Sequence, residues 1–429
     1  VGIPKKIWQA PLVRAGSLNG IGVIVKIAIG FVTSKVIAVF VGPSGMALVG
    51  NLRNFLTTLE GLGTLGLQSG MVKYVAEGKS SQTELRKVLS TIFTSVLAVV
   101  VLCSLLLFFL ADYWSAWVFS GNDSFGHIFR ILALSLPFYA FSIVLIAVLN
   151  GLGNYKHVIW ANIIGNIISL LISVVLIVRY GLDGALFAIV ISPSALFFAS
   201  VFYISRTTGI FKRIHWNYFD PKLLWKLGAF SLMTLFSYVC VPLVYLEIRQ
   251  QAQEISGSDA AGYWEAMTRV SANYMLFVST LVSVYFLPKL VVSETDRQTR
   301  SIFADYLRGV VPMFFLGAIV VYSLRGFIVG LLFTEDFKPV EDLFFWQLVG
   351  DGFKSIAMIF GCCLVAKKMT KGFFITESLS LIILYATSHF MLQVDGVHGL
   401  VVAHAITYFA YCVVLIGYFR KTFTSPDVS

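Results

Sequence analysis

Apolar stretches long enough to cross a bilayer follow one another from about residue 19 to residue 419. A helical crossing needs ~20 mostly apolar residues. Twelve stretches meet that length: 19–41, 44–71, 88–111, 128–150, 158–178, 185–205, 227–248, 263–287, 309–330, 342–366, 373–393 and 399–419. A soluble chain could not hide this much apolar surface. Its residues are 58% hydrophobic and 13% charged, and the mean hydropathy is +0.84. The longest connection is about twenty residues, too short for an independent catalytic domain. The expected fold class is an all-α integral membrane protein with twelve transmembrane helices. The first run is too long for a cleaved signal peptide and has no small-residue cleavage site, so it reads as the first helix.

Lys and Arg set the orientation. Alternate connections 1–18, 72–87, 151–157, 206–226, 288–308, 367–372 and 420–429 hold 22 basic residues. The opposite set holds three: Arg179, Arg249 and Lys338. This asymmetry puts the basic connections and both termini in the cytosol. It also accounts for the net charge of +10. Basic connections facing anionic lipid need no nucleic-acid partner. The five cysteines lie in apolar runs without a CxxC pair and read as small hydrophobes. No metal-binding pattern occurs.

The halves repeat one another. Arg53 and Lys73 recur as Arg269 and Lys289, offset by 216 residues. Lys156 recurs as Lys371, and "GLDG" (181–184) as "GVHG" (396–399), both offset by 215. Four landmarks at nearly half the chain length imply a six-plus-six duplication. The expected division is an N-terminal six-helix bundle over 1–205, a cytosolic basic linker over 206–226, and a C-terminal bundle over 227–429. Six crossings are an even number, so the bundles are expected to be pseudo-twofold related about the membrane normal, around a central cavity.

Seven basic residues fall inside the expected spans: Lys26, Lys35, Arg53, Arg130, Arg269, Arg325 and Lys354. A charge at the bilayer centre costs ~2.5–3.5 kcal/mol on insertion scales, so such groups face a bundle interior or water, or snorkel from a helix end. Helical spacing gathers polar residues into stripes. Arg53, Thr57, Glu60 and Thr64 share a face, as do Glu265, Arg269 and Asn273, and again Gln347, Asp351 and Lys354. Arg53, Arg269, Lys26 and Lys354 could together form a column of cations. The competing reading of Glu265 with Arg269, and of Asp351 with Lys354, is mutual neutralisation one turn apart. Glu60 either holds Arg53 in place or senses a coupling proton. Arg130 and Arg325 lie near helix ends and read as anchors. Glu377 and His404 are candidates for proton coupling, with a structural hydrogen bond as the alternative for His404. The glycines of spans one and two suit close packing or bending.

"VKIAIGFVTSKVIAVFVGPSGMALVGNLRNF", "MVKYVA" and "FWQLVGDGFK" resemble the Wzx-type flippases of lipid-linked oligosaccharides, among them O-antigen translocases and lipid III flippases. These belong to the multidrug/oligosaccharidyl-lipid/polysaccharide exporter superfamily. The resemblance covers nearly the whole chain. It implies two six-helix lobes around a V-shaped cavity and alternating access driven by a proton or sodium gradient, with no cofactor. It implies movement of an undecaprenyl-diphosphate-linked glycan from the cytosolic to the periplasmic leaflet of the bacterial inner membrane. A polysaccharide polymerase is a candidate partner. The motif positions that carry over are Lys26, Arg53, Lys73, Asp351 and Lys354. With Arg269 from the repeat, the cations would contact the anionic headgroup. Glu60, Asp351, Glu265 and Glu377 are the candidates for ion coupling or charge pairing. A cation-drug antiporter should line its path with carboxylates and aromatics, whereas the interior candidates here are rich in cations. A polymerase or ligase would need a substantial external loop bearing catalytic Arg or His. A lipid II flippase would carry two further helices.

Overall fold

The computed structural model describes residues 11–207 and 209–424, so Lys5 and Lys6, expected in the cytosol, lie outside the described residues. The described residues are helical, with short turns and no strand. Contacts divide the chain into two compact units. One holds the chain up to Phe40 together with Asn51–Leu243, and the other holds Val41–Gly50 and the chain from Val244 onward.

The first unit contains α1 (Pro11–Phe40), most of α2 (Gly42–Gly63), α3 (Gln68–Gly78), α4 (Gln82–Phe109), α5 (Ala111–Val118), α6 (Gly126–Gly151), α7 (Tyr155–Ile191), α8 (Ala195–Thr207) and the first two-thirds of α9 (Pro221–Ser256). Its core follows the helical period. Leu132, Leu136, Ala140, Val144 and Val148 of α6 are buried one turn apart. They lie on the helix that packs against α4, whose Leu89, Ile92, Val96 and Val100 are buried too. Leu102, Leu105, Leu106 and Phe109, elsewhere on α4, stay exposed. That exposure is tolerable where the solvent is lipid.

Among the described residues, nine helices are long and apolar enough to cross a membrane. Two are about twice the needed length: 155–206 has 52 residues and 370–418 has 49. Each is broken by a glycine in the left-handed region, Gly181 at φ 56° and Gly396 at φ 55°. The fourth residue of each motif closes the turn. A Cβ at Gly184 would strike the carbonyl of Leu176, and one at Gly399 that of Met391. The chain therefore doubles back tightly at both "GLDG" and "GVHG", and these repeated landmarks share one backbone device.

The stretch 44–71 departs from expectation. It is two helices, α2 and α3, rather than one span. Leu65 and Gly66 between them have φ 55° and 61°. The break keeps its amides bonded: Leu65 N donates to Leu62 O and Gly66 N to Gly61 O, both at 3.0 Å. A Cβ on Gly66 would lie 2.8 Å from both Ser231 O and Leu235 N of α9. Hydropathy stays high across this point, so a local backbone reversal leaves no mark in an apolar count.

In the second unit, α10 (Ser258–Leu281) runs through a π turn (Val282–Phe286) into α11 (Leu287–Val292). It continues with α12 (Asp296–Ser323), α13 (Arg325–Leu332), α14 (Val340–Ala366) and α15 (Thr370–Tyr418). Thr295 and Gln298 form a capping box at the start of α12, satisfying amides that a helix start leaves bare. Helices α14 and α15 pack together, with α10 also against α14. The reading of Arg249 as a loop residue is corrected. Helix α9 continues to Ser256, and Arg249 is only 2% exposed inside it. Nothing between Leu246 and Ser256 breaks a helix.

Replacing Gly66 with Ala should destabilise the protein by about 2–4 kcal/mol, combining left-handed strain with overpacking. Gly153→Ala, at φ 80° with open space around its Cβ, should lose only the ~1–2 kcal/mol of strain. Thermal unfolding in detergent measures both. Equal losses would remove the packing role assigned to Gly66.

Candidate functional site

In the first unit the charges gather where α2 ends. Glu60 is half-buried one turn before the break. Its Oε2 accepts a short hydrogen bond from the Tyr139 hydroxyl of α6. Its Oε1 accepts from Gln68 Nε2 at 3.1 Å. Gln68 opens α3, so this second bond bridges the break. Thr64 Oγ1 donates to the Glu60 carbonyl at 2.7 Å on the α2 side. Exposed Lys26 on α1 acts on Glu60 electrostatically. Tyr238 of α9 does so too, and it packs against Gly61. Arg53 is exposed two turns before Glu60, and its carbonyl accepts from Thr57 Oγ1 at 3.0 Å. Lys73 is exposed on α3, 3.7 Å from Glu77 and over the Tyr74 ring.

The second unit contains two buried polar clusters. In one, Glu265 joins two arginines. Arg249 Nη2 lies 2.6 Å from Oε2, and Arg269 Nε lies 2.7 Å from Oε1. The ring of Trp264 lies beneath Arg249 at 5.3 Å and stacks on Tyr245. Gly50 abuts the carboxylate, and a Cβ there would sit 2.5 Å from Oε2. All three charged residues are at most 5% exposed. Arg269 thus pairs with Glu265 as the neutralisation reading has it, with Arg249 added. Its Nη2 is a buried donor without a hydrogen-bond partner.

In the other cluster, buried Asp351 accepts from Ser271 Oγ at 2.6 Å, Tyr274 OH at 2.5 Å and Gln347 Nε2 at 3.2 Å on Oδ2. His404 Nε2 stands 3.0 Å from Oδ1. Three helices supply these partners to one carboxylate, and a buried anion needs them. Asp351 thus has His404 at hydrogen-bond distance, while Lys354 acts on it electrostatically from farther off. The ammonium of Lys354 lies 5.2 Å from the Tyr408 ring centroid. It lines a cavity of about 380 Å³ with Glu377, Tyr408 and Tyr411. Glu377 accepts from Tyr411 OH at 3.0 Å, and Lys354 acts on it electrostatically.

The structure thus brings Lys26 toward Glu60, Glu265 onto Arg269, and Lys354 beside Glu377. Sequence reasoning missed Arg249, Tyr139, Gln68 and Tyr274. Arg249 was legible only if α9 was carried on to the Gly257 stop. Arg130 and Arg325 behave as end groups. Arg130 forks onto Asp112 at 2.9 and 3.0 Å, and Arg325 donates to Tyr322 O at 3.1 Å.

Glu265→Gln removes the anion that both arginines share. Breaking a buried ion pair costs ~3–5 kcal/mol, whereas replacing all its members by apolar residues is often neutral. The single variant should therefore melt far below wild type, and Arg249→Met/Glu265→Met/Arg269→Met should recover most of the loss. Melting curves in detergent decide this, and an unchanged Glu265→Gln curve would count against the shared-anion arrangement.

The sequence profile of the family described as "Polysaccharide biosynthesis protein" matches residues 12–290. The lipid III flippase of Escherichia coli (strain K12) is 29% identical over 413 residues, covering 95% of this chain and 98% of the relative. Among solved structures, an inward-facing multidrug resistance MATE family transporter of the MOP superfamily superposes with a TM-score of 0.77 at 13% identity. That match covers 94% of this chain and 96% of the transporter. The inward closed lipid II flippase MurJ gives 0.69 at 15% identity, covering 95% and 87%. At such identities these structures show a shared fold.

Proposed function

The chain belongs to the polysaccharide biosynthesis protein family, and from that premise we propose that it is a flippase. Its cargo is an undecaprenyl-diphosphate-linked oligosaccharide resembling an O-antigen repeat unit. It moves that cargo from the cytosolic to the periplasmic leaflet of the bacterial inner membrane by alternating access coupled to a proton or sodium gradient. The observation that carries this reading is the near end-to-end match to the E. coli lipid III flippase, over 95% of this chain and 98% of that protein.

On this reading the chain crosses twelve times, as six-helix halves 1–205 and 227–429 joined by the basic segment 206–226, with both termini cytosolic. That number follows when Gly181 and Gly396 divide the two long helices and the pair α2 and α3 counts as one further crossing. The mechanism is charge exchange without covalent chemistry. The diphosphate is anionic, the glycan is hydrophilic and the polyprenyl tail is apolar. Arg53 and Lys26, both exposed cations, are assigned first contact with the diphosphate. Arginine grips phosphate oxygens as a fork and lysine as a point charge. Lys73 and Lys354 extend that set. Arg269 joins it only when Glu265 releases the guanidinium. Glu60, Asp351, Glu265 and Glu377 are assigned to ion coupling, and a polymerase is the proposed receiver of the product. The fold shared with a multidrug transporter leaves an organic-cation antiporter as the second reading, and a flux assay with organic cations separates the two.

A strain lacking the protein should accumulate lipid-linked glycan facing the cytosol, and wild type should clear it. Arg53→Ala, at normal membrane abundance, should slow clearance about 10–100-fold, the equivalent of one charge-assisted contact. Arg53→Lys should restore part of the rate. Full clearance by Arg53→Ala would sink the assignment of Arg53, and no accumulation in the deletion strain would sink the flippase reading.

A further inference from the structure

The cavity that Lys354 and Glu377 share is walled by α10 with its π turn, by α14 and by α15, all in the second unit. Its volume, about 380 Å³, falls at the small end of ligand sites, ~300–1,000 Å³. Its depth follows from helix rise. Lys354 lies twelve residues before the end of α14, and Glu377 seven residues after the start of α15. At ~1.5 Å per residue these are depths of ~18 and ~10 Å. Both are measured from segment 367–372, which the orientation rule puts in the cytosol. Val365 and Phe373, beside that segment, line the outer part of the cavity.

Two opposite charges line this cavity without pairing. Among the described residues the Lys354 ammonium meets no hydrogen-bond or ion-pair partner. It stands by the Tyr408 ring and acts on Glu377 and Asp351 through space. Glu377 accepts from Tyr411 OH on Oε2, and its Oε1 accepts from none of the described residues. A charge in apolar surroundings costs free energy unless a partner answers it. A ligand that answers both signs at once therefore gains more here than one that answers either. The wall beside the charges is aromatic: Tyr408 and Tyr411 meet edge to face at 74°, with centroids 6.4 Å apart. Ser279 and Ser283 add hydroxyl-bearing residues from α10 and its π turn, a local widening often found at functional sites.

We infer that this cavity seats one neutral saccharide unit of the lipid-linked glycan. The inference rests on the flippase reading, and it sharpens the roles of Lys354 and Glu377 from general charge exchange to holding the sugar. The two charges make the selection. A phosphate would meet the Glu377 carboxylate, and an organic cation would meet the Lys354 ammonium. A hydroxyl both donates and accepts, so neighbouring sugar hydroxyls can donate to Glu377 and accept from Lys354 together. The C–H face of a pyranose suits a tyrosine ring, and the volume suits a single unit rather than a whole repeat. The glycan reaches such a site from the cytosolic side, where the lipid-linked substrate begins.

Gly361 lines the cavity, and a Cβ there meets only Tyr411 Oη, at 3.8 Å. Gly361→Leu therefore occupies the space while placing a better helix former in α14. Gly309, whose Cβ would meet nothing within 4 Å, supplies Gly309→Leu as a control on α12. The probe is octyl glucoside carrying a diazirine on the sugar, photolabelling the full chain in nanodiscs. The expected result is labelling within 354–377 or 408–411. Methyl glucoside should compete it away, whereas octyl phosphate and phosphatidylethanolamine should not. Glu377→Gln should cut that labelling about tenfold, the equivalent of one hydrogen bond to a charged group. Gly361→Leu should cut it at least as much, and Gly309→Leu should leave it unchanged. No labelling in those segments, no competition by methyl glucoside, equal competition by octyl phosphate or by zwitterionic phosphatidylethanolamine, or unchanged labelling of Gly361→Leu would overturn the inference. The deletion-strain assay keeps the two readings apart. Wild type that clears glycan yet shows no sugar labelling at the cavity removes only this site, and a deletion strain without accumulation removes the flippase reading whatever the labelling.

Discussion

Backbone hydrogen bonding governs every irregularity in this chain. In hydrocarbon no water replaces a lost amide partner, so a helix can turn or break only where the freed groups are satisfied at once. The reversals at Gly181 and Gly396 meet this demand with a left-handed glycine and a second glycine beneath a carbonyl. The break after α2 meets it with amides returned to Gly61 and Leu62. The π turn at Val282–Phe286 meets it by widening one turn of an otherwise continuous helix. Each solution leaves a small gap or a close approach, and the packing of Gly66 on α9 is one such approach.

Charge inside the helices obeys the same economy of partners. Glu265 serves two arginines, and Asp351 collects donors from α10, α14 and α15. These groups are too well held to meet a ligand without rearrangement. Arg53 on α2 and Lys26 on α1 are exposed. The molecule therefore holds both buried charge clusters and exposed charges on its helices. Glu60 belongs partly to each class, because its two oxygens join α6 to the start of α3 while Lys26 acts on it.

The nine long apolar helices among the described residues were legible because hydrophobic length is a property of a window, and windows survive small errors. The paired glycine motifs were legible because only glycine pays no steric cost at positive φ. The break at Leu65 was not, because a single backbone dihedral leaves hydropathy unchanged. Arg249 was misplaced for a related reason: a charged stretch after an apolar run looks like a loop until a breaker is sought, and the first one is Gly257. The partners of Asp351 could not be read at all. Ser271 and His404 lie far from it in sequence, and only packing brings them to one carboxylate. The i, i+3 spacing of Asp351 and Lys354 pointed to one electrostatic neighbour and gave no sign of buried His404.

The two repeated cation pairs hold a final consequence. Arg53 and Lys73 are twenty residues apart, and so are Arg269 and Lys289. Between the first pair the helix stops and restarts; between the second it passes through a π turn. A π turn takes up one residue more than an α turn, which rotates everything after it by about 100° relative to an unbroken helix. Equal spacing along the sequence therefore becomes unequal azimuth about each helix. Positions that match in sequence therefore need not present their side chains alike.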